Sequence, residues 1–171
     1  MTDTRDRIRA TVETTPGIHF SELVRQSGFA PGQVQYHIRR LQKAEELVVE
    51  ACYGQTHYFP PEFEEGDRRA IALLRRETTR AIVDVLFSHP SGLHPDTLAS
   101  ELDLARSTIE YHLDRLESED LVEKRETLQG GMQVRLRDRD AVAAFRDVTR
   151  PSLSARVVDR FERLVDQLDE I

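Results

Sequence analysis

The chain states one plan twice, at a constant interval. Gly17, His19, Leu23, Tyr36, His37, Arg40 and Leu41 recur as Gly92, His94, Leu98, Tyr111, His112, Arg115 and Leu116, each 75 positions on. These identities within 25 positions, carried on the same apolar pattern, indicate an internal duplication. One residue is lost after the matched stretch, in the turn QKAEE against ESED. Two copies are too few for a solenoid, whose units need a stack of neighbours to close a core. The expectation is therefore two tandem domains, and 171 residues are enough for both to bury one.

The copies also agree in their local signals. In the first, Thr4 can cap a helix from Arg5 to about Thr14, with Ile8 and Val12 on one face. TPG stops it, and IHF is a short extended piece. Ser21 then caps a second helix through Ser27, and Gly28 occupies the C′ position. Pro31 opens a third helix to about Glu45, and LVVEAC and THYF form a hairpin across YGQ. In the second copy, Arg80 to Ser88 is helical, Asp96 caps the next helix, and Ser107 to Asp120 is the third. LVEKRE and MQVRLR flank a TLQGG wing.

Helix, short strand, helix, turn, helix, hairpin is the order of a winged helix-turn-helix. The expected fold class is mainly α with small β-hairpin wings (α+β). Residues 1–60 and 80–139 are the two winged domains, 61–79 a linker, and 140–171 a C-terminal helical segment. PPEFEEG is an acidic, turn-rich joint. DRRAIALLRRETTRAIVDVLF lacks glycine and proline, which suits one long helix or two abutting ones.

The third helix of the first copy carries the chemistry. On a helical wheel, Val34, Ile38 and Leu41 form an apolar stripe. Opposite lie Gln33, Gln35, Tyr36, Arg39, Arg40 and Lys43, a polar and cationic front. Glutamine can pair with adenine and arginine with guanine in the major groove, and the cations can grip phosphates. Tyr53, Gln55 and His57 lie on or beside the wing, within reach of the adjacent backbone.

The phrases YHIRRLQKAEELV and YHLDRLESEDLV resemble the recognition helix and first wing strand of ArsR- and MarR-like winged-helix transcriptional regulators. The tandem layout, joined by ALLRRETTRAIVDVLFSHPSG, is similar to predicted archaeal regulators of that kind. The likeness covers residues 5–59 and 80–137. It implies a sequence-specific regulator of double-stranded DNA, working as a homodimer and in contact with the transcription machinery. A different class stays open: a tandem winged-helix adaptor that binds proteins of the chromosome-condensation or transcription machinery.

The second copy departs at its front. Glu110, Asp114 and Ser118 stand where the first has Gln35, Arg39 and Lys43. Residues 106–120 hold two basic and five acidic side chains, and carboxylates repel phosphates. Divided labour is the expectation: the first domain reads DNA while the second positions, dimerises or binds a partner. The alternative is that salt adaptation scattered acids over a surface that still binds DNA in high salt. Secondary contacts are expected from Tyr111, Arg115, Lys124, Arg125 and Arg135. Charge is distributed accordingly. Residues 1–60 carry seven basic and seven acidic groups, whereas residues 61–171 carry 17 and 24.

Composition narrows the class. The net charge is −7, and all but Lys43 and Lys124 of the 24 basic residues are arginine. Acid-rich, lysine-poor chains resemble those of halophilic archaea. There is no apolar run long enough to span a membrane. MTDTRDRIRA lacks a signal peptide's apolar region, which points to the cytoplasm. Cys52 is the one cysteine, so it reads as a packed small hydrophobe. His37 and His112 flank their stripes and are expected half-buried, bonded to backbone. His19 and His94 follow the short extended pieces. No metal-ligand spacing occurs, no cofactor is implied, and phosphate loops and nucleophile elbows are missing, so an enzyme is not expected. In the tail, Val157, Phe161, Leu164, Leu168 and Ile171 follow a/d spacing, a candidate dimerisation stripe.

Overall fold

The computed structural model describes residues 3–128 and 130–150. The tail stripe from Val157 to Ile171 lies outside them. Helix α1 (Thr4–Thr14) buries Ile8 and Val12, and its N-cap is Asp3 rather than Thr4. Helix α2 (Phe20–Ser27) is capped by His19, two residues before Ser21. The Glu22 amide donates to His19 Nδ1 at 3.3 Å, and Ser21 Oγ lies 2.9 Å from the same nitrogen. In the second copy the Asp96 amide donates to His94 Nδ1 at 3.1 Å, opening α6 (Pro95–Leu102). Asp96 thus sits inside the first turn, and the repeated histidine is a repeated cap. An imidazole nitrogen satisfies an orphan helix amide as a hydroxyl would.

Helix α3 (Pro31–Lys43) starts at Pro31 and stops short of Glu45, because Glu45 is left-handed with φ 58°. Asp120, 75 residues on, has φ 57° and follows α7 (Arg106–Ser118). Gly28 and Asp103, also 75 apart, are left-handed after α2 and α6. The third such pair is Gly17 and Gly92, with φ 78° and 93°. Here glycine is required twice over. A Cβ on Gly17 would come within 2.9 Å of Ile71 Cγ2, and one on Gly92 within 2.9 Å of the Val134 carbonyl oxygen. The duplication has therefore kept the backbone turning points as well as the apolar pattern.

The wings differ in what they pair with. Strands β1 (Ile18–His19), β2 (Val48–Cys52) and β3 (Gln55–Phe59) form an antiparallel sheet in the order β1-β3-β2. Ile18 faces Tyr58, and Val48 faces Phe59. The turn Tyr53–Gly54 has positive φ at both residues, 50° and 80°, as a two-residue primed turn demands. In the second copy β4 (Val122–Glu126) pairs only with β5 (Met132–Leu136). Its counterpart of β1 shrinks to one bridge between Leu93 and Val134.

The joining segment is two helices, α4 (Glu65–Leu74) and α5 (Glu77–Ser88). Arg76 leaves the helical region (ψ 135°), and Thr79 Oγ1 donates to the carbonyls of Leu73 and Arg76 to seal the elbow. The segment is more than a tether. Ala70, Leu73 and Leu74 of α4 share the second domain's core with Ile82, Leu86, Leu98, Ile109, Leu113 and Leu116. Ile71 and Ala72, on the other side of α4, pack with Cys52 and Phe59 of the first domain's sheet. Helix α8 (Arg139–Thr149) adds Val142 to the second core and Phe145 to both. Apolar side chains thus run unbroken between the two winged units. Among the described residues no helix is long and apolar enough to cross a membrane.

Candidate nucleic-acid interface

The apolar stripe of α3 does what its spacing implies. Val34, Ile38 and Leu41 are 0–5 % exposed, packed with Ile8, Val12, Leu23 and Tyr58. That pins the helix by its back and turns Gln33, Gln35, Tyr36, Arg39, Arg40 and Lys43 to solvent; all six are exposed. Tyr36 is 56 % exposed, unusual for a large aromatic. Arg40 leans on it, its Nη1 donating to the Tyr36 hydroxyl at 3.3 Å with the guanidinium 5.7 Å from the ring centre. Gln33 is partly committed at the helix start, where its Oε1 accepts the Ala30 amide at 3.3 Å. Among the described residues, no carboxylate lies within ion-pair distance of Arg39, Arg40 or Lys43. The front of α3 therefore keeps its positive charge.

The front of α7 does not. Arg106 donates to Glu110 at 2.7 Å and to Asp96. Lys124 reaches back from β4 into a ring of three carboxylates, Asp114 at 2.6 Å, Glu110 at 3.5 Å and Glu117 at 3.6 Å. Burial works against the Lys124 charge, but the bond to Asp114 and the surrounding carboxylates outweigh it and hold the ammonium on. Arg125 and Arg135 share Glu123, at 3.0 and 2.5 Å. Arg135 in turn keeps the Glu123 carboxyl below its usual range. Lys124, Arg125 and Arg135, expected as secondary phosphate contacts, are therefore engaged inside their own domain. Arg115 is stacked between two rings, 3.9 Å from the centre of Tyr111 and 4.7 Å from that of Tyr53. Tyr111 itself is 51 % exposed.

Two wing residues of the first domain lie elsewhere than expected. Tyr53 points at α7: its hydroxyl donates to Glu119 Oε1 at 2.6 Å and lies 3.3 Å from Ser118 Oγ. Arg69 Nε donates to the same Glu119 oxygen at 2.8 Å, and Arg76 Nη2 donates to the Tyr53 carbonyl. Burial and the bond to Glu119 raise the Tyr53 pKa. Tyr53 is a joint between the domains. His57 is buried, its Nδ1 2.8 Å from the Gly17 carbonyl, and burial lowers its pKa. Gln55 alone of the three is exposed.

The remaining titratable groups read as structure. His37 and His112 are half-buried, but Nδ1 of each has no hydrogen-bond partner among the described residues, so the expected backbone bond is missing. Each instead meets its neighbouring tyrosine edge to face at 5.1 Å. Cys52 is buried, and desolvation raises its thiol pKa, the direction that makes a cysteine inert. Among the described residues, no three of His, Cys, Asp and Glu converge as metal ligands would.

Comparison with known proteins matches this division. Residues 2–71 fit a family described as an N-terminal HTH domain, and residues 73–125 one described as a helix-turn-helix domain. The chain carries two tandem helix-turn-helix domains. The boundary between the two matches falls within α4, whose opposite sides serve the two units. A relative of this tandem helix-turn-helix protein is an uncharacterised HTH-type transcriptional regulator of Methanocaldococcus jannaschii, 27 % identical over 126 residues. The match takes in 74 % of the present chain and 32 % of that protein, so the chain spans about a third of its relative's length. Among solved structures, a mutant of S. aureus MepR bound to an oligodeoxyribonucleotide is 18 % identical. The similarity covers 62 % of this chain and 89 % of that one, with a TM-score of 0.40, too loose a superposition to argue from.

Proposed function

We propose that this protein is a DNA-binding transcriptional regulator in which α3 enters the major groove and the second winged domain orients it. One observation carries the reading: among the described residues Arg39, Arg40 and Lys43 of α3 stand clear of carboxylates, whereas the front of α7 is taken up by ion pairs of its carboxylates with Arg106 and Lys124. Arg39 and Lys43 then serve as phosphate grips. Gln35 and Arg40 lie where base edges are read, with Tyr36 beside them. Gln55 extends the contact from the wing. The likeness to a Methanocaldococcus HTH-type transcriptional regulator supports the same class.

The second domain, with Lys124, Arg125 and Arg135 neutralised, acts as a platform. It holds the first domain through Tyr53, Arg69 and Glu119. Dimerisation through Val157, Phe161, Leu164, Leu168 and Ile171 completes the proposal, since a two-fold regulator matches palindromic half-sites. Genome-wide crosslinking followed by binding to an enriched site tests it. A two-fold symmetric site, and a monomer with weakened binding when Phe161→Glu and Leu164→Glu are combined, is the expected result. Binding that ignores sequence would favour the adaptor class, with the acidic front of α7 as its docking face.

A further inference from the structure

Among the described residues, Arg75 and Arg80 form a second place where arginines stand without an ion-pair partner. Helix α2 and its cap face the α4–α5 elbow across a cleft of about 430 Å³, lined by His19, Ser21, Glu22, Arg25, Arg75 and Arg80. That volume falls within the range of small-molecule sites, about 300–1,000 Å³. Among the described residues Glu22 is its one carboxylate, and it is already shared. It lies 3.8 Å from His19 Nε2 and 3.9 Å from Arg25, and it accepts the Gln26 amide at 2.8 Å.

On the opposite wall stand Arg75 and Arg80, with no carboxylate in ion-pair distance among the described residues. Arg75 is fixed in place, because its Nε donates to the Pro16 carbonyl at 2.8 Å. Burial, and then the like charge of Arg80, lower its pKa against the opposing pull of Glu22. Two arginines held together with this little compensation are costly, and an oxyanion relieves the cost. Across the cleft, His19 Nδ1 accepts the Glu22 amide and holds Ser21 Oγ at 2.9 Å, which leaves the His19 Nε2–H as the neutral donor on that wall.

We infer that this cleft binds a small dianionic oxyanion, a phosphate ester or a dicarboxylate, between Arg75 and Arg80 on one side and His19 and Ser21 on the other. Helix α2 packs on α1, α3 and β3 of the first domain, while α5 belongs to the second domain's core. A ligand bridging them sets the angle between the units and so acts as an effector. The effect on DNA rests on the reading of α3 proposed above; the binding does not.

The test uses the full chain without DNA. Inorganic phosphate, glycerol 3-phosphate and succinate are titrated calorimetrically at millimolar concentrations and constant ionic strength, with sodium chloride as the control. Saturable one-to-one binding of at least one probe is expected, and it separates phosphate ester from dicarboxylate. Arg80→Gln should weaken it about tenfold or more, the loss of one charge-assisted contact. Arg75→Lys keeps the charge but loses the guanidinium fork, and should weaken it as well; circular dichroism confirms that each variant is folded. No saturable heat from any probe, or affinity unchanged in both variants, overturns the inference.

Discussion

Helices α3 and α7 descend from one pattern and bury the same kind of stripe, yet the face that both turn to solvent is cationic in α3 and acidic in α7. Val34, Ile38 and Leu41 correspond to Ile109, Leu113 and Leu116, and all six are at most 5 % exposed. Tyr36 with Arg40 and Tyr111 with Arg115 repeat an exposed aromatic–cation pair. The change lies between them, where Arg39 becomes Asp114 and Lys43 becomes Ser118. Asp114, with Glu110 and Glu117, gives Lys124 its partners, and Ser118 simply lacks the cation of Lys43, so a grip for phosphate becomes an internal ion-pair network. Core positions preserve a fold, and the front decides what it touches.

The largest expected effect comes from giving α3 the face of α7. Arg39→Asp with Lys43→Ser should lower affinity for an enriched site by roughly a hundredfold in about 0.1 M salt, since two phosphate-neutralising cations are lost. Fluorescence anisotropy measures it. Retained affinity would remove the distinction between the helices.

Next are the matched glycines, which sharpen the comparison for stability. Gly92→Ala must place its methyl against the Val134 carbonyl, whereas the methyl of Gly17→Ala meets the Ile71 and Phe59 side chains, which can yield. Both also meet the left-handed penalty of about 1–2 kcal/mol. Chemical denaturation should therefore show Gly92→Ala as the more damaging. The reverse order would mean that the core around Phe59 and Ile71 is the stiffer of the two.

Much of this organisation is legible in the residues. The interval of 75, the stripe Val34–Ile38–Leu41 and the glycine after α2 suffice to place the elements and the exposed front of α3. What escapes local reading is whatever depends on distant packing. Ser21 looks like a cap, but the helix begins two residues earlier and His19 takes the amide. The break at Arg76 follows from the bond of Thr79 to Leu73, in a segment without glycine or proline. Tyr53 looks like a wing tip, and only the docking of the domains shows it 66 residues away in sequence from its partner Glu119. Lys124 looks like a free wing cation because its three carboxylates lie on another element. The arginine cleft is likewise assembled from LLRRETTR and the start of α2, segments with no shared periodicity.

A smaller effect follows from that docking. Tyr53→Phe removes the hydroxyl that bonds Glu119 but leaves Arg69 as that carboxylate's partner, so a loss of about 1 kcal/mol in stability is expected by denaturant titration. DNA affinity should barely change. A loss of DNA affinity with stability intact would return Tyr53 to the interface.

The smallest effect is on pH. Burial lowers the pKa of His57 and of His112 in the folded state. As pH falls through the unfolded value of about 6.5, the unfolded chain takes up protons first and stability declines until the folded pKa is reached. Thermal melts between neutral pH and mild acid should show this decline. His57→Gln should flatten it more than His112→Gln, since His57 is the more buried. A profile unaltered by either change would place the titration elsewhere.

The asymmetry between the two heads is tested most directly by the salt dependence of DNA binding, measured in wild type and in two variants that each lose two cations. One is Arg39→Gln with Lys43→Gln, the other Lys124→Gln with Arg125→Gln. The slope of log affinity against log salt should flatten by about 2 in the first and stay at the wild-type value in the second, because Lys124 and Arg125 already face carboxylates. Equal flattening in both variants would show two reading heads in place of one, and would contradict the account.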